Sequence, residues 1–202
     1  MDNHRRTNPF SRRFLVLLLG MCAVISGTTL AWAPAASAHN LEGCHWPKAV
    51  IGSTTIHYTN LEPTTSGYYS VIDNAANRWS LSAAHIVYAK DDINYDVVAY
   101  TYNYGNTNYD GLTSYSCVGG VFLKQNVSVH LNTYYTDSYV TDNKISVMVH
   151  EFGHAAGLAH SNPPASACNA PPAIMWSDTG RYYNCGLQYP QSDDTSGLNT
   201  IY

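Results

Sequence analysis

The segment VMVHEFGHAAGLAHS (147–161) constrains this chain more than any other part of it, because it contains three of the nine histidines. On a helix, residues four apart lie on the same face about one turn apart, so His150 and His154 can bind one metal ion. Gly157 can end that helix, since glycine adopts the left-handed conformation, and the chain can then bring His160 back to the same point. Three imidazole ligands with a fourth position left open are typical of a catalytic zinc ion.

Glu151 follows the first of these histidines and points about 100° away from it around the helix. Its carboxylate would lie beside the metal ion, where it can accept a proton from bound water. We therefore expect Glu151 to be the catalytic base of a hydrolase with one zinc ion as cofactor, which activates water and polarises a carbonyl. A structural zinc site is disfavoured, because such sites have four protein ligands and prefer cysteine.

The eleven residues HEFGHAAGLAH (150–160) resemble the long zinc-binding signature of the metzincin metallopeptidases. That family also has a methionine turn downstream, and PAIMW (172–176) resembles it. The resemblance implies that Met175 packs beneath the histidines without binding the metal. It implies an α+β fold of the zincin-like metzincin type, with a mixed twisted sheet, an active-site helix and a smaller C-terminal part. It also implies a zinc-dependent endopeptidase whose partner is a protein or peptide substrate.

Within the metzincins, the C-terminal segment SDDTSGLNTIY (192–202) is similar to the start of the last helix of the matrixins. There an acidic pair ties the helix to the methionine turn, a role that would fall to Asp193 and Asp194. The alternative is that the two carboxylates simply complement the positive N-terminus of a helix. The resemblance also implies that residues 162–190 shape the specificity pocket. Position 177 is Ser, where astacins and serralysins have a tyrosine.

Residues 1–38 have the features of a secretory signal peptide, with four arginines before a long apolar run and Ala36-Ser37-Ala38 after it. We expect cleavage there and a single metallopeptidase catalytic domain over residues 39–202, secreted to the extracellular space. Four of the ten basic residues and one of the fourteen acidic ones precede residue 39. The remainder has six basic and thirteen acidic residues, a net charge of −7.

This acidic balance argues against nucleic acid or anionic lipid as a partner. No apolar run after residue 38 is long enough to span a bilayer, so we expect no membrane association after signal removal, and a monomer. Four cysteines remain, an even number that predicts two disulfides in an exported chain. Three pairings are open, and we expect Cys44–Cys117 and Cys168–Cys185 because the second closes a short loop.

Hydrophobic periodicity predicts a mixed sheet with a helix on one face. Helices are expected over 68–81 and 141–158, with Thr141 or Asp142 capping the second, and a short one at the C-terminus. Residues 104–116 are rich in turn formers and predict a loop. We expect 118–124 to be the edge strand along which an extended substrate binds. Strands are predicted over 53–60, 85–90, 95–103, 118–124 and 127–132.

Calcium is a weaker prediction than zinc. Four aspartates could supply carboxylate oxygens, but they show no calcium-loop spacing; they are Asp91, Asp92, Asp96 and Asp110. Two other functions are consistent with the zinc motif: a zinc amidase that acts on cell-wall peptides, and a zinc-bearing binding protein that hydrolyses nothing. In a binding protein that hydrolyses nothing, Glu151 would have no catalytic role.

Overall fold

The computed structural model of the protein describes residues 40–161, 168 and 172–202, so the expected signal peptide lies outside the described residues. All of them belong to one compact unit, Pro34–Tyr202. The helices are α1 (Gly67–Ser80), α2 (Thr133–Thr136), α3 (Thr141–Ala155), α4 (Gly180–Tyr183) and α5 (Ser192–Ile201). The strands are β1 (Asn40–Leu41), β2 (Thr54–Asn60), β3 (Ile86–Lys90), β4 (Val97–Tyr102), β5 (Gly111–Ser114), β6 (Cys117–Val118), β7 (Val121–Phe122), β8 (Val127–Asn132) and β9 (Leu158–Ala159).

A five-stranded mixed sheet in the order β3-β2-β4-β8-β5 forms the centre of the domain. The first four strands run parallel, and β5 joins the edge antiparallel to β8. The central strand β8 is buried at Val127 and at every position from Val129 to Asn132, so both of its faces are covered over most of its length. The sheet and its helices confirm the predicted α+β class.

The helix α1 agrees with the sequence prediction in its bounds and in its buried face. Its five buried residues are those that the helical spacing selects: Val71, Ile72, Ala75, Ala76 and Trp79. The Ser66 side chain caps the helix by accepting a hydrogen bond from the Tyr68 backbone N–H (3.1 Å). The apolar face of α1 packs against α3 and the sheet.

Two sequence predictions about the edge of the sheet are wrong. Residues 111–114, expected to belong to a loop, form β5. Residues 118–124 contain only the last residue of β6 and the two-residue strand β7, which pair in a separate hairpin. The strand β5 has four residues and begins with a glycine, so it is too short to show alternation. Gly119 and Gly120 both adopt positive φ and turn the chain back between β6 and β7.

The helix α3 begins and ends close to its predicted bounds, but its cap differs. The residue before the helix is Val140, which makes no side-chain capping bond, while Thr141 and Asp142 lie in the first turn. Asp142 still complements the positive helix N-terminus there. At the other end Gly157 has φ +109°, as its predicted role in stopping the helix requires.

Aromatic side chains from four parts of the chain hold the C-terminal half of α3 by bonding its backbone carbonyls. Trp79 donates to Val149 O (2.8 Å), and Tyr88 donates to Phe152 O (2.6 Å). Carbonyls of the last helical turn have no partner within the helix. Here the Ala155 carbonyl accepts a hydrogen bond from Trp46 Nε1 (2.8 Å), and the Ala156 carbonyl accepts one from Tyr202 Oη (2.8 Å). These bonds fix the position of the helix that carries the histidines.

The predicted disulfide pairing is confirmed. Cys44–Cys117 ties the segment after β1 to β6, and Cys168–Cys185 ties the chain before the methionine turn to the segment after α4. No helix of the described residues is both long enough and apolar enough to cross a membrane.

Candidate active site

The three predicted ligands converge. The Nε2 atom of His150 lies 3.1 Å from that of His154 and 3.1 Å from that of His160. Nitrogen ligands at about 2.0–2.1 Å in a tetrahedral arrangement are separated by about 3.3 Å, which agrees with these distances. Among residues 40–161, 168 and 172–202, these three histidines are the one group of metal-binding side chains that comes together.

The third histidine reaches this point because the chain turns sharply after α3. A Cβ atom on Gly157 would lie 2.7 Å from the Cys44 carbonyl oxygen, so the turn accommodates glycine alone. Beyond it, Asn40 Nδ2 donates to the His160 carbonyl (2.8 Å), and the Ser161 N–H donates to the Met175 carbonyl (2.9 Å). The segment that carries His160 is thus fixed on both sides.

Hydrogen bonds at the opposite ring nitrogens orient the two helical histidines. His150 Nδ1 lies 2.8 Å from the Ile174 carbonyl, and His154 Nδ1 lies 2.7 Å from the Leu158 carbonyl. A carbonyl only accepts, so each Nδ1 carries the proton and each Nε2 presents a lone pair. Lone pairs that face each other at 3.1 Å need a cation between them. The arrangement fits a zinc ion with an open fourth position.

Burial lowers the pKa of His150 well below its ordinary value and also lowers that of His160. Both therefore favour the neutral imidazole, which is the form that binds a metal. Burial acts in the same direction on His154, but its hydrogen bond to the Glu42 carboxylate and the charge of Glu151 outweigh burial, so the pKa of His154 is raised.

Glu151 is buried and lies on the cleft wall beside the histidines, as predicted. Its Oε2 accepts a hydrogen bond from the Thr113 hydroxyl of β5 (2.8 Å). A Cβ atom at Gly111 would lie 2.7 Å from Glu151 Oε1, so the carboxylate occupies the space that this glycine leaves. Burial raises the pKa of Glu151, while the charge of His154 and the Thr113 bond oppose the rise. A raised pKa makes the carboxylate a stronger base.

Met175 lies beneath the histidine-bearing helix, as the resemblance implies. It is 2% exposed, and a Cβ atom at Gly153 would overlap with its sulfur. Asp194 of α5 holds the turn from below, accepting from the N–H groups of Ile174 (2.8 Å) and Met175 (3.2 Å). Burial raises the pKa of Asp194 to about 6 even though these amide donors lower it. Asp194 therefore fits both interpretations of the acidic pair, because it ties the methionine turn to α5 and also accepts from the Gln191 N–H at the start of that helix (2.7 Å).

A cleft of about 810 Å³ passes over the histidines. One wall is β5, the edge strand that replaces the predicted 118–124. The lining also includes Ser177, Thr179 and Arg181, together with residues 107–110. Part of the segment expected to shape specificity therefore borders the cleft, while residues 162–167 and 169–171 lie outside the described residues.

Sequence reasoning missed Glu42. Its Oε1 lies 3.0 Å from His154 Nδ1, and its Oε2 accepts from the Tyr115 hydroxyl (2.7 Å). The hydrogen bond with His154 lowers the pKa of Glu42. A carboxylate behind a ligand histidine fixes its tautomer and increases its basicity. Glu42 stands more than one hundred residues before His154, and no local pattern connects them.

A family model for reprolysin-like metallopeptidases of family M12B matches residues 46–201. The chain belongs to this family. Membership confirms the resemblance to the metzincin zinc metallopeptidases that the histidine motif carries. The matched range includes the sheet, all three histidines and the methionine turn.

Among solved structures, one similar to this chain is described as the structure of myroilysin, at 19% identity and a TM-score of 0.41. The match covers 59% of this chain and 46% of that one, so the chain spans about half the length of that structure. No curated protein matches the sequence significantly. Neither match is described as a matrixin, so the matrixin likeness stays a prediction.

The four aspartates considered for calcium do not come together in the described part of the chain. Each is engaged elsewhere. Asp91 accepts from the backbone N–H groups of residues 93 and 94, and Asp92 accepts from Thr59. Asp96 accepts from the His57 N–H, and Asp110 accepts from Thr179. Calcium is not supported.

Proposed function

We propose that this protein is a secreted endopeptidase that hydrolyses peptide bonds at a single zinc site formed by His150, His154 and His160, with Glu151 as general base. The observation that carries the proposal is the convergence of three Nε2 atoms beside a buried carboxylate in an open cleft. Met175 supports this site from below and does not bind the metal.

Zinc, when bound, would polarise the scissile carbonyl and lower the pKa of water. The chain's own contribution is to place and orient a base. Glu151 accepts a proton from the attacking water and donates it to the departing amine. The Thr113 hydroxyl holds one carboxylate oxygen and leaves the other free to take up that proton. The Nδ1–H bonds of the two helical histidines keep their lone pairs directed at the cleft.

The substrate would bind as an extended strand along β5. This strand pairs with β8 on one side and borders the cleft on the other. An unpaired strand edge offers backbone N–H and C=O groups to an extended peptide. The resemblance of the histidine motif to that of the metzincins favours endopeptidase over exopeptidase activity.

Export and signal cleavage after Ala38 belong to the same proposal. The two disulfides support an oxidising compartment. Protein produced from the full chain and recovered from the medium should begin at His39, which N-terminal sequencing would establish. A protein retained in the cell with Met1 intact would contradict this part.

The decisive experiment compares the parent with Glu151→Gln, each produced from the full chain and assayed for bound zinc. The Gln side chain keeps the size but cannot accept the proton, so we expect the same zinc content and a loss of casein cleavage of at least about a hundredfold. Chelation should abolish the parent's activity, and zinc should restore it. Glu62→Gln is the matched control, because Glu62 bonds Thr101 and Ser66 outside the cleft.

Equal cleavage by Glu151→Gln and the parent would overturn the role of Glu151. Zinc binding without cleavage of casein by the parent would contradict the endopeptidase. Release of products from cell-wall peptides would then identify the amidase, and inactivity on both would favour a binding protein or a peptidase of narrow specificity.

A further inference from the structure

Arg181 is the least expected side chain in the cleft wall. Only two of the chain's arginines follow residue 38, and Arg181 on α4 is 2% exposed and borders the cleft with His150 and Glu151. The other, Arg78, lies on the protein surface. Its Nη1 donates to the Gln188 carbonyl and side-chain oxygens (2.7 and 3.0 Å), and its guanidinium stacks over the Tyr189 ring (4.2 Å).

The guanidinium of Arg181 is poorly satisfied by the protein. Its Nη1 donates to the Trp176 carbonyl (3.0 Å), and its buried Nε has no hydrogen-bond partner. No carboxylate of the described residues forms an ion pair with it, and the sequence of 162–171 contains no Asp or Glu. Burial lowers its pKa, but an arginine remains charged at any physiological pH.

The nearby acids are engaged with other donors. Asp110 accepts hydrogen bonds from Thr179 (2.7 Å) and Tyr139 (3.3 Å), and Asp178 accepts from the Gly180 N–H (2.6 Å). Glu151 bonds Thr113 and is proposed to be the base. Their charges act on Arg181 from beyond ion-pair distance. A buried charge without an ion-pair partner is unfavourable, so Arg181 in this position points to an anion that binds from the cleft.

The geometry points to a substrate carboxylate as that anion: we infer that Arg181 selects peptides with a carboxylate next to the scissile bond. The planar guanidinium binds a carboxylate through paired N–H donors, and the bond is strong where water is excluded. The inference rests on the proposed peptidase function and adds its substrate class. An acidic side chain and the C-terminal carboxylate of a peptide share this chemistry.

The first test uses the parent protein. Otherwise identical peptides carry Glu, Gln or Leu at each position flanking the cleavage site, each with a free or an amidated C-terminus. At one position we expect kcat/KM for Glu to exceed that for Gln by at least about tenfold, since only the charged form pairs with Arg181. A Glu-to-Gln ratio that is the same with the free and the amidated C-terminus would assign the carboxylate to the side chain. Equal rates for Glu and Gln, with faster cleavage of the free than of the amidated peptides, would assign it to the C-terminal carboxylate.

The second test replaces Arg181 by Met, which fills a similar volume without charge, and by Lys, which keeps the charge but not the planar pair of N–H donors. Arg181→Met should bring the Glu-to-Gln ratio close to one while still cleaving the Leu peptide, and Arg181→Lys should keep part of the ratio. Because Arg181 also bonds Trp176 O, a purely structural role would lower cleavage of all three peptides alike.

A binding measurement avoids both turnover and misfolding of the variants. The zinc-loaded Glu151→Gln protein should bind the Glu peptide at least about tenfold more tightly than the Gln peptide by calorimetry.

Equal kcat/KM for every peptide by an active, chelator-sensitive parent would overturn the inference and leave the peptidase intact. A parent that cleaves none of the peptides and no casein would instead contradict the proposed function.

Discussion

Two buried histidines of this protein differ in what surrounds their ring nitrogens. His150 uses Nδ1 on the Ile174 carbonyl and turns Nε2 to the other ligands. His130, on β8, has neither nitrogen hydrogen-bonded and packs against the rings of Tyr100 and Tyr104 at 5.1 and 4.8 Å. Burial lowers the pKa of His130 to about 4. The His150 ring faces the other two histidines of the candidate site, whereas the His130 ring belongs to an aromatic cluster beside the sheet.

His130 should make the fold sensitive to acid. Below about pH 6.5 the unfolded chain binds a proton at this ring, whereas the folded protein does so only near pH 4. Stability from His130 is therefore present above pH 6.5 and is lost as the pH falls to 4, by up to about 3 kcal/mol. Relative to the parent, His130→Phe should gain free energy of unfolding progressively over this range.

Urea unfolding of both proteins at several pH values between 4 and 8 measures this difference. The zinc-site histidines are the same in both, so their titration cancels. A gap between the two proteins that does not change with pH would show that His130 takes up its proton in the folded state as readily as in the unfolded chain.

At the scale of elements, the site depends on how α5 holds the methionine turn. Asp194 accepts backbone N–H bonds from Ile174, Met175 and Gln191 at 2.7–3.2 Å. The Ile174 carbonyl in turn orients His150. A side chain of the last helix is therefore connected through one residue to a proposed zinc ligand.

Asp194→Ala should weaken both the fold and the site. It leaves three backbone donors without their acceptor, at about 1–3 kcal/mol for each buried one, so we expect a loss of at least about 2 kcal/mol in the free energy of unfolding. Because His150 loses its fixed orientation, zinc affinity should fall by about tenfold or more. Ser196→Ala, at an exposed position of the same helix, is the control for both measurements.

Chemical denaturation gives the first quantity, and competition with a chromogenic chelator gives the second. Zinc affinity equal to that of the parent in a destabilised Asp194→Ala protein would show that the methionine turn keeps its position without α5.

At the scale of the whole molecule, the two disulfides connect parts that the sheet does not. Cys44–Cys117 spans 73 residues and fixes the segment that also supplies Glu42 and Trp46 to the histidine helix. Cys168–Cys185 spans 17 residues around the methionine turn. Closing a longer loop removes more entropy from the unfolded chain.

We expect the double substitution Cys44→Ala/Cys117→Ala to lower the free energy of unfolding by about 4 kcal/mol, against about 3 kcal/mol for Cys168→Ala/Cys185→Ala. Urea unfolding of the two proteins under identical conditions provides the comparison. A larger loss for the second pair would mean that strain or residual structure, and not loop entropy, governs the contribution of these bonds.

The amino-acid sequence by itself determined which three histidines converge, where the glutamate proposed as the base lies, and the core face of α1. These features depend on local spacing: residues four apart meet on a helix, and a glycine ends it, whatever the rest of the chain does. The disulfide pairing was expected for another reason, namely that one pair closes a short loop. The family resemblance supplied the mixed sheet and the place of Met175.

Only the tertiary structure decided which strand forms the cleft edge, and it brought Glu42 and Arg181 to the site. The strand β5 is too short for its periodicity to be read, and its pairing depends on β8, more than ten residues later. Glu42 meets His154 because β1 pairs with β9. Arg181 is buried by a wall assembled from distant segments. Contacts between residues far apart in sequence follow from packing, which no local pattern encodes.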